Sequence, residues 1–194
     1  MATGANLIRA RVYSLLAGML AAPPAATLLR LLEGIPDRGV GGGSVAGAWA
    51  VLKEAATETS VAEVAEEYQQ LFVGVACGEV MPYGSWYLSG FLADKPLAAL
   101  RADLAALGVE RRPEVRETED HAAALCETMA MLCAGANSIS LERQKKFFDD
   151  HVASWMTRFF RKMQEAPSAR FYRAVGRLGV EFLEVERSYL SLGG

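Results

Sequence analysis

The sequence predicts an all-helical protein, a single globular bundle of roughly eight to ten helices. Apolar residues recur every three or four positions along most of the chain, which is helical spacing. No run alternates apolar and polar residues with the period of two that a strand requires. Of the 194 residues, 52% are hydrophobic and 22% are charged, so the chain can bury a substantial core and is not an extended, disordered polymer.

The first predicted helix has to be distinguished from a secretory signal. Residues 12–29 carry no charge and follow Arg9 and Arg11, an arrangement that a signal also has. Pro23 and Pro24 interrupt this run before it reaches the roughly 20 apolar residues that span a bilayer. Six apolar residues share one helical stripe, which a signal does not need: Ile8, Val12, Leu15, Leu16, Met19 and Leu20. We therefore expect a core helix that is not cleaved from the protein.

Boundary residues predict the next three helices. Pro23–Pro24 can open the second helix and Gly34 can end it. Gly39 to Gly43 then form a flexible connector, which lacks the Lys-Ser or Lys-Thr of a phosphate-binding loop and follows no strand. A third helix follows this connector. Ser60 and Glu63 have the spacing of a capping box, which predicts the start of a fourth.

The middle of the chain contains two irregular segments. Residues 73–87 read VGVACGEVMPYGSWY, rich in glycine and aromatic residues and almost free of charge. A surface loop is normally polar, so this one either packs inward or lines a binding surface. A helix is predicted from Pro96 to near Gly108. The charged connector that follows predicts a hinge at residues 109–117 within one domain, residues 1–194.

Three helical segments are predicted in the C-terminal part. Glu117 or Thr118 can cap the first of them, which ends near Gly135. The second covers residues 139–165 and is rich in aromatic side chains. The last follows Pro167 and has an apolar face formed by Phe171, Val175, Leu178, Phe182 and Tyr189.

Charge and cysteine content exclude several classes of protein. The formal net charge is −3, and residues 51–120 carry thirteen acidic and six basic side chains. An acidic region favours a cationic partner, and a general nucleic-acid binder would need a basic patch instead. Cys77, Cys126 and Cys133 are irregularly spaced and form no disulfide framework. A reducing cytoplasm is therefore the expected location.

The residue types that carry catalysis are scarce. His121 and His151 are the two histidines, and each follows acidic residues. Cys126 lies five positions after His121, so the two point apart on a helix, and we expect neither a metal nor another cofactor. Two alternatives stay open. One is a metal- or acid/base-dependent helical enzyme using Asp120, His121 and His151, and the other is a helical ligand-sensing regulator.

Four segments occur in an order that is characteristic of one family. They are EYQQLFVG at residues 67–74, PYGSWY at 82–87, ETEDH at 117–121 and FDDHVASW at 148–155. Together they resemble the TorD/DmsD/NarJ family of cytoplasmic chaperones, which mature molybdopterin oxidoreductases. The resemblance covers roughly residues 7–165. Thr118 stands where the family motif has proline, which leaves the sub-branch and the client enzyme open.

The resemblance implies a TorD-like bundle that binds the N-terminal signal, often a twin-arginine signal, and the apo-form of a molybdopterin oxidoreductase. Such a chaperone assists cofactor insertion and export, makes no covalent bond and holds no cofactor. A homodimer formed by domain exchange stays open. The residues implied at the signal-binding surface are Pro82, Tyr83, Ser85, Trp86, Tyr87, Glu117, Asp120 and His121. We expect Asp120 and His121 either to contact the signal or to fix the helix start that does so.

Overall fold

Helices account for the regular structure of the chain, as the sequence predicts. The computed structural model describes residues 4–36, 43–74, 77–112, 114–135 and 139–192. Within these ranges there are ten α-helices and no strand. The helices are α1 (Gly4–Ala21), α2 (Ala26–Glu33), α3 (Ser44–Glu58), α4 (Val61–Tyr68), α5 (Gly84–Ser89), α6 (Lys95–Leu107), α7 (Ala122–Cys133), α8 (Leu141–Phe147), α9 (Met156–Glu165) and α10 (Phe171–Leu192). Residues 39–42 of the predicted glycine connector lie outside the described ranges.

In the part of the chain that the structure describes, two helices continue into a turn of π-helix. Gln69–Val73 follows α4, and Phe148–Ala153 follows α8. A π-helical turn is wider than an α-helical one, and such turns are frequent at functional sites. Both turns fall within segments that carry the family resemblance.

The chain divides into two compact units. The first consists of Met1–Ala21, Pro82–Met156 and Glu186–Gly194, and the second of Ala22–Met81 and Thr157–Val185. The charged connector at residues 109–117 lies inside the first unit. A hinge at this connector stays a prediction.

Several helix boundaries lie where local residue chemistry predicts them. Gly34 follows α2, and Gly108 follows α6 with a φ of 69°, a left-handed conformation that glycine adopts without strain. The capping box before α4 is present: Ser60 Oγ accepts from the Glu63 N–H at 3.2 Å, and the Ser60 N–H donates to the Glu63 carboxylate at 2.8 Å. Pro96 lies in the first turn of α6.

The predicted apolar stripe of α1 is wrong at its first residue. Val12, Leu16, Met19 and Leu20 are buried as expected and Leu15 is half-buried, whereas 48% of Ile8 is exposed. The neighbouring Arg9 points inward instead, because its charge is paired inside the first unit. Among the described residues, no helix combines the length and the apolarity needed to cross a lipid bilayer.

The Arg9 pair joins α1 to α10 within the first unit. Arg9 donates from Nε and from a terminal nitrogen to the two carboxylate oxygens of Glu186, at 2.7 and 2.6 Å. The side chains of Arg9 and Glu186 are 7% and 0% exposed. The Tyr13 hydroxyl donates to the same carboxylate at 3.2 Å, and burial, with the nearby Glu186 charge, raises the pKa of Tyr13.

A buried carboxylate caps α10 in the second unit. Glu67, near the end of α4, accepts hydrogen bonds from the backbone N–H groups of Arg170, Phe171 and Tyr172, at 2.8, 3.1 and 2.7 Å. These N–H groups lie just before and at the start of α10, where the helix has no partner for them. The first segment of the family resemblance therefore has a structural role that the sequence analysis did not anticipate.

Replacing Glu67 with glutamine tests this capping role. The substitution keeps the size of the side chain but directs an amide NH₂ group toward N–H donors, so we expect a loss of about 1–3 kcal/mol in the free energy of unfolding. Urea denaturation measures the free energy of unfolding. Glu66→Gln is the matched control, since Glu66 is exposed, and it should change stability by no more than about 0.5 kcal/mol. Equal stability of the two variants would contradict the capping role.

Candidate functional site

Two of the segments that carry the family resemblance meet in a short antiparallel pairing. The Gly84 N–H donates to the Asp120 carbonyl at 2.9 Å, and the Ala122 N–H donates to the Pro82 carbonyl at 2.8 Å. Tyr83 and His121 are the residues directly opposite each other. The pairing places the aromatic loop against the start of α7.

Asp120 holds the start of α5 in place. Its Oδ2 atom accepts from the Ser85 backbone N–H at 2.8 Å, in the first turn of that helix. Its Oδ1 atom accepts from the Thr118 hydroxyl at 2.6 Å. Asp120 is 3% exposed, so its bond to the Ser85 N–H forms away from water, while the bond with the half-buried Thr118 is partly buried. Thr118, which replaces the proline of the family motif, thereby orients the carboxylate.

The loop expected to extend to Tyr87 ends earlier, because α5 begins at Gly84. Ser85 is fully buried, and its hydroxyl accepts from the Ala93 backbone N–H at 3.1 Å. A β-carbon on Gly84 would lie 2.9 Å from the Trp155 indole nitrogen, so the helix approaches this ring more closely than a side chain allows. Short helices of this kind give little sequence signal, since their stability comes from the surrounding contacts.

His121 caps α7, and the expectation that Glu117 or Thr118 would do so is wrong. The His121 Nδ1 atom accepts from the Ala123 N–H at 3.2 Å, and the chain turns just before it, where the His121 N–H donates to the Thr118 carbonyl. Burial lowers the pKa of His121, against the opposing effect of the Glu117 and Asp120 carboxylates. The neutral ring is the form that can accept this hydrogen bond.

Glu117 lies at the protein surface next to these buried groups. The Tyr83 hydroxyl donates to its carboxylate, and the Tyr83 ring packs edge-on against His121 with ring centres 5.2 Å apart. Tyr83 is half-buried and Glu117 is exposed. This contact places an accessible carboxylate close to α5.

An exposed apolar patch lies on and just after α5. It consists of Trp86, Leu88, Phe91 and Leu92, whose exposed fractions range from 42% to 72%. Tyr87, on the same helix, is half-buried and stacks on Trp155 with ring centres 5.2 Å apart. The patch therefore projects from a helix that is anchored at its start by Asp120 and on its inner side by an aromatic stack.

An acidic groove of about 500 Å³ lies in the same unit. It is bordered by α1, the end of α6, the 109–117 connector and α7. Four glutamates line it: Glu110, Glu117, Glu119 and Glu127. Leu104, Val115 and Met131 supply apolar surface, and Arg111 and Arg112 also lie on its edge. The sequence analysis did not select Glu127 or Met131, which lie outside the acidic region of residues 51–120, whereas the other three glutamates lie within it.

His151 takes part in a separate arrangement. Its Nε2 atom lies 2.7 Å from a carboxylate oxygen of Asp103, and its hydrogen bonds do not join it to Asp120 or His121. Among the described residues, the enzyme alternative therefore has no hydrogen bond that links His151 to Asp120 or His121. Asp103, Asp150 and His151 each offer one metal-ligand atom within 4.8 Å of the others, but Lys146 already pairs with Asp150. The absence of a bound metal stays a prediction.

A sequence model of a protein family matches residues 43–161, more than half of the chain. The family is described as nitrate reductase delta subunit. The chain is 28% identical over 137 residues to the chaperone protein TorD of Vibrio cholerae serotype O1, covering 66% of this chain and 62% of that protein. It is 27% identical over 144 residues to TorD of Photobacterium profundum, covering 69% of this chain and 66% of that protein. The matched region thus spans less than two thirds of these relatives.

A solved structure supports the same fold. It belongs to an Archaeoglobus fulgidus protein named as a redox enzyme maturation protein, with a TM-score of 0.63. The comparison covers 91% of this chain and 94% of the other, at 16% sequence identity. At this identity the likeness establishes the helical fold.

Proposed function

The chain belongs to the nitrate reductase delta subunit family, and from that membership we propose that it is a chaperone in the maturation of a redox enzyme. It binds the N-terminal signal, often a twin-arginine signal, and the apo-form of a molybdopterin oxidoreductase in the cytoplasm. It holds this client until the cofactor is inserted and export can proceed. The action is binding, and no covalent bond is made or broken.

The apolar patch is the observation that carries this proposal. Trp86, Leu88, Phe91 and Leu92 expose large apolar side chains within seven consecutive positions of the chain. Large apolar side chains exposed this close together in the chain are typical of an interaction site. Because α5 is anchored by Asp120 and by the Tyr87–Trp155 stack, the patch is presented on a fixed helix. A preorganised surface loses little conformational entropy when a partner binds.

The acidic groove supplies the complementary charge. A twin-arginine signal carries guanidinium groups followed by a moderately apolar stretch, so its receptor needs carboxylates beside apolar surface. Tyr83, immediately before α5, donates to Glu117, which lines the groove. Charge and apolar surface therefore occur within one unit.

The residues implied by the family resemblance divide into two groups. Trp86 and Glu117 are exposed, and Tyr83 and Tyr87 are half-buried, so we assign these four to contact with the signal. The remaining four are buried and position the others: Pro82, Ser85, Asp120 and His121.

Removing apolar side chains from the patch should weaken binding of a synthetic peptide that has two adjacent arginines followed by an apolar stretch. We expect Trp86→Ala to reduce affinity about tenfold or more, because it removes apolar contact area. The loss should persist at high salt, since screening acts on charge. Calorimetric titration at low and high salt measures both properties.

Leucine substitutions provide a matched comparison. Leu88→Ala alters the patch, whereas Leu31→Ala alters an exposed leucine of α2 in the second unit. Affinity should fall for the first and stay unchanged for the second. If Trp86→Ala and Leu88→Ala both bind the peptide like the unmodified protein, the proposed binding surface is wrong.

A further inference from the structure

Glu119 is a carboxylate of the acidic groove that is already paired with an arginine. Arg101 donates from Nε at 3.0 Å and approaches with a terminal nitrogen at 2.9 Å, both to the Oε2 atom. The Glu119 side chain is 15% exposed. Burial works against its ionisation, but the hydrogen bond and charge of Arg101 lower the pKa of Glu119. The carboxylate is therefore ionised and fixed through one of its two oxygens.

The other oxygen faces a second arginine at a longer distance. Arg111 Nε lies 3.8 Å from Glu119 Oε1, which is beyond hydrogen-bond range, and the Arg111 side chain is 39% exposed. A terminal nitrogen of Arg111 also donates to the Glu117 carbonyl at 3.1 Å. Arg111 is thus held beside Glu119 by a hydrogen bond within the connector.

Only one of these two arginines borders the groove. Arg111 and Glu119 both line it, whereas Arg101 lines a different depression on α6. A ligand in the groove would therefore meet Arg111 first, and Arg101 would stay behind the carboxylate. Exposed ion pairs contribute little to stability because water screens them, so the contact with Arg111 can be exchanged at low cost.

We propose that Glu119 receives an arginine side chain of the client signal, and that Arg111 occupies this position in the free protein. The inference rests on the proposed function and names the residue that recognises the guanidinium group. Exchange of Arg111 for the incoming arginine replaces a long contact with charge-assisted hydrogen bonds to Oε1.

Three variants, titrated with the same twin-arginine peptide, test this inference. Arg111→Ala should bind the peptide about two- to fivefold more tightly, since it removes the competing guanidinium. Glu119→Gln should bind it about tenfold more weakly or worse, since it removes the charged acceptor. The double variant Arg111→Ala/Glu119→Gln should lose the gain of Arg111→Ala, because the two residues act on the same contact.

Arg112→Ala is the matched control. Arg112 is exposed, lines the same groove and has no ion pair within the described residues. Arg112→Ala removes the same charge as Arg111→Ala, so any general effect of net charge on the affinity for a cationic peptide appears in both variants. Thermal unfolding of each variant checks that the fold is retained.

The outcomes separate this inference from the proposed function. If the unmodified protein binds the peptide and Trp86→Ala weakens binding, but Arg111→Ala matches Arg112→Ala and Glu119→Gln binds normally, the role of Glu119 is overturned and the chaperone function stands. If the unmodified protein does not bind the peptide at all, both the role of Glu119 and the proposed chaperone function are wrong. A gain specific to Arg111→Ala that depends on Glu119 supports the exchange.

Discussion

Glu186→Ala is expected to lower the free energy of unfolding by about 3–5 kcal/mol, the largest effect of any single substitution considered for this protein. The substitution leaves the Arg9 guanidinium buried without its counter-charge. Both carboxylate oxygens of Glu186 are used by Arg9, and Tyr13 also donates to this carboxylate. With side-chain exposures of 7% and 0%, water cannot replace the missing partner.

A double variant, Arg9→Met/Glu186→Leu, separates the cost of the unpaired charge from the cost of lost packing. Chemical denaturation measures the free energy of unfolding of this variant and of Glu186→Ala. The double variant removes both charges and fills similar volume with apolar groups, so it should lose much less stability than the single variant. A single-variant loss below about 1 kcal/mol would show that Arg9 finds another partner or reaches water.

Asp120→Ala should lower the free energy of unfolding by about 2–3 kcal/mol, because two donors lose a charged acceptor. The Ser85 N–H and the Thr118 hydroxyl both point at this carboxylate, which is 3% exposed. The start of α5 then keeps its backbone pairing with residue 120 but loses its side-chain anchor. We expect peptide affinity to fall as well, since Trp86 is carried by that helix.

Two related variants distinguish positioning from direct contact. Asp120→Asn keeps a side-chain acceptor for the Ser85 N–H and should recover most of the stability and the affinity. Thr118→Val removes only the hydroxyl donor and should cost about 1 kcal/mol. If Asp120→Ala and Asp120→Asn both keep normal stability but lose affinity in a salt-dependent way, Asp120 contacts the signal itself and the positioning role is wrong.

Much of the secondary structure follows from chemistry within a few residues. The capping box of Ser60 and Glu63 and the glycine after α6 act over three or four positions, so the sequence predicts them directly. The apolar faces of α7 and α10 follow from residue spacing alone: Leu125, Met129 and Leu132 are buried in α7, and Phe171, Val175, Leu178 and Phe182 in α10.

Two of the errors occurred where a distant residue decides the outcome. Glu186 is 177 positions from Arg9, and its charge is what allows the arginine to replace Ile8 on the buried side of α1. Asp120 is 35 positions from Ser85, and the bond between them fixes a helix that lay in a predicted loop. Neither partner can be identified from local spacing.

The sequence by itself determined the helical class, most helix boundaries and the segments that carry the family resemblance. The tertiary structure alone decided which residues of those segments are accessible. Asp120 and Glu119 are adjacent carboxylates with the same local chemistry, yet Asp120 is held by a backbone N–H and a hydroxyl inside the protein, while Glu119 lines a groove. The physical reason is that burial and charge pairing depend on the elements packed around a side chain, and those elements come from distant parts of the chain.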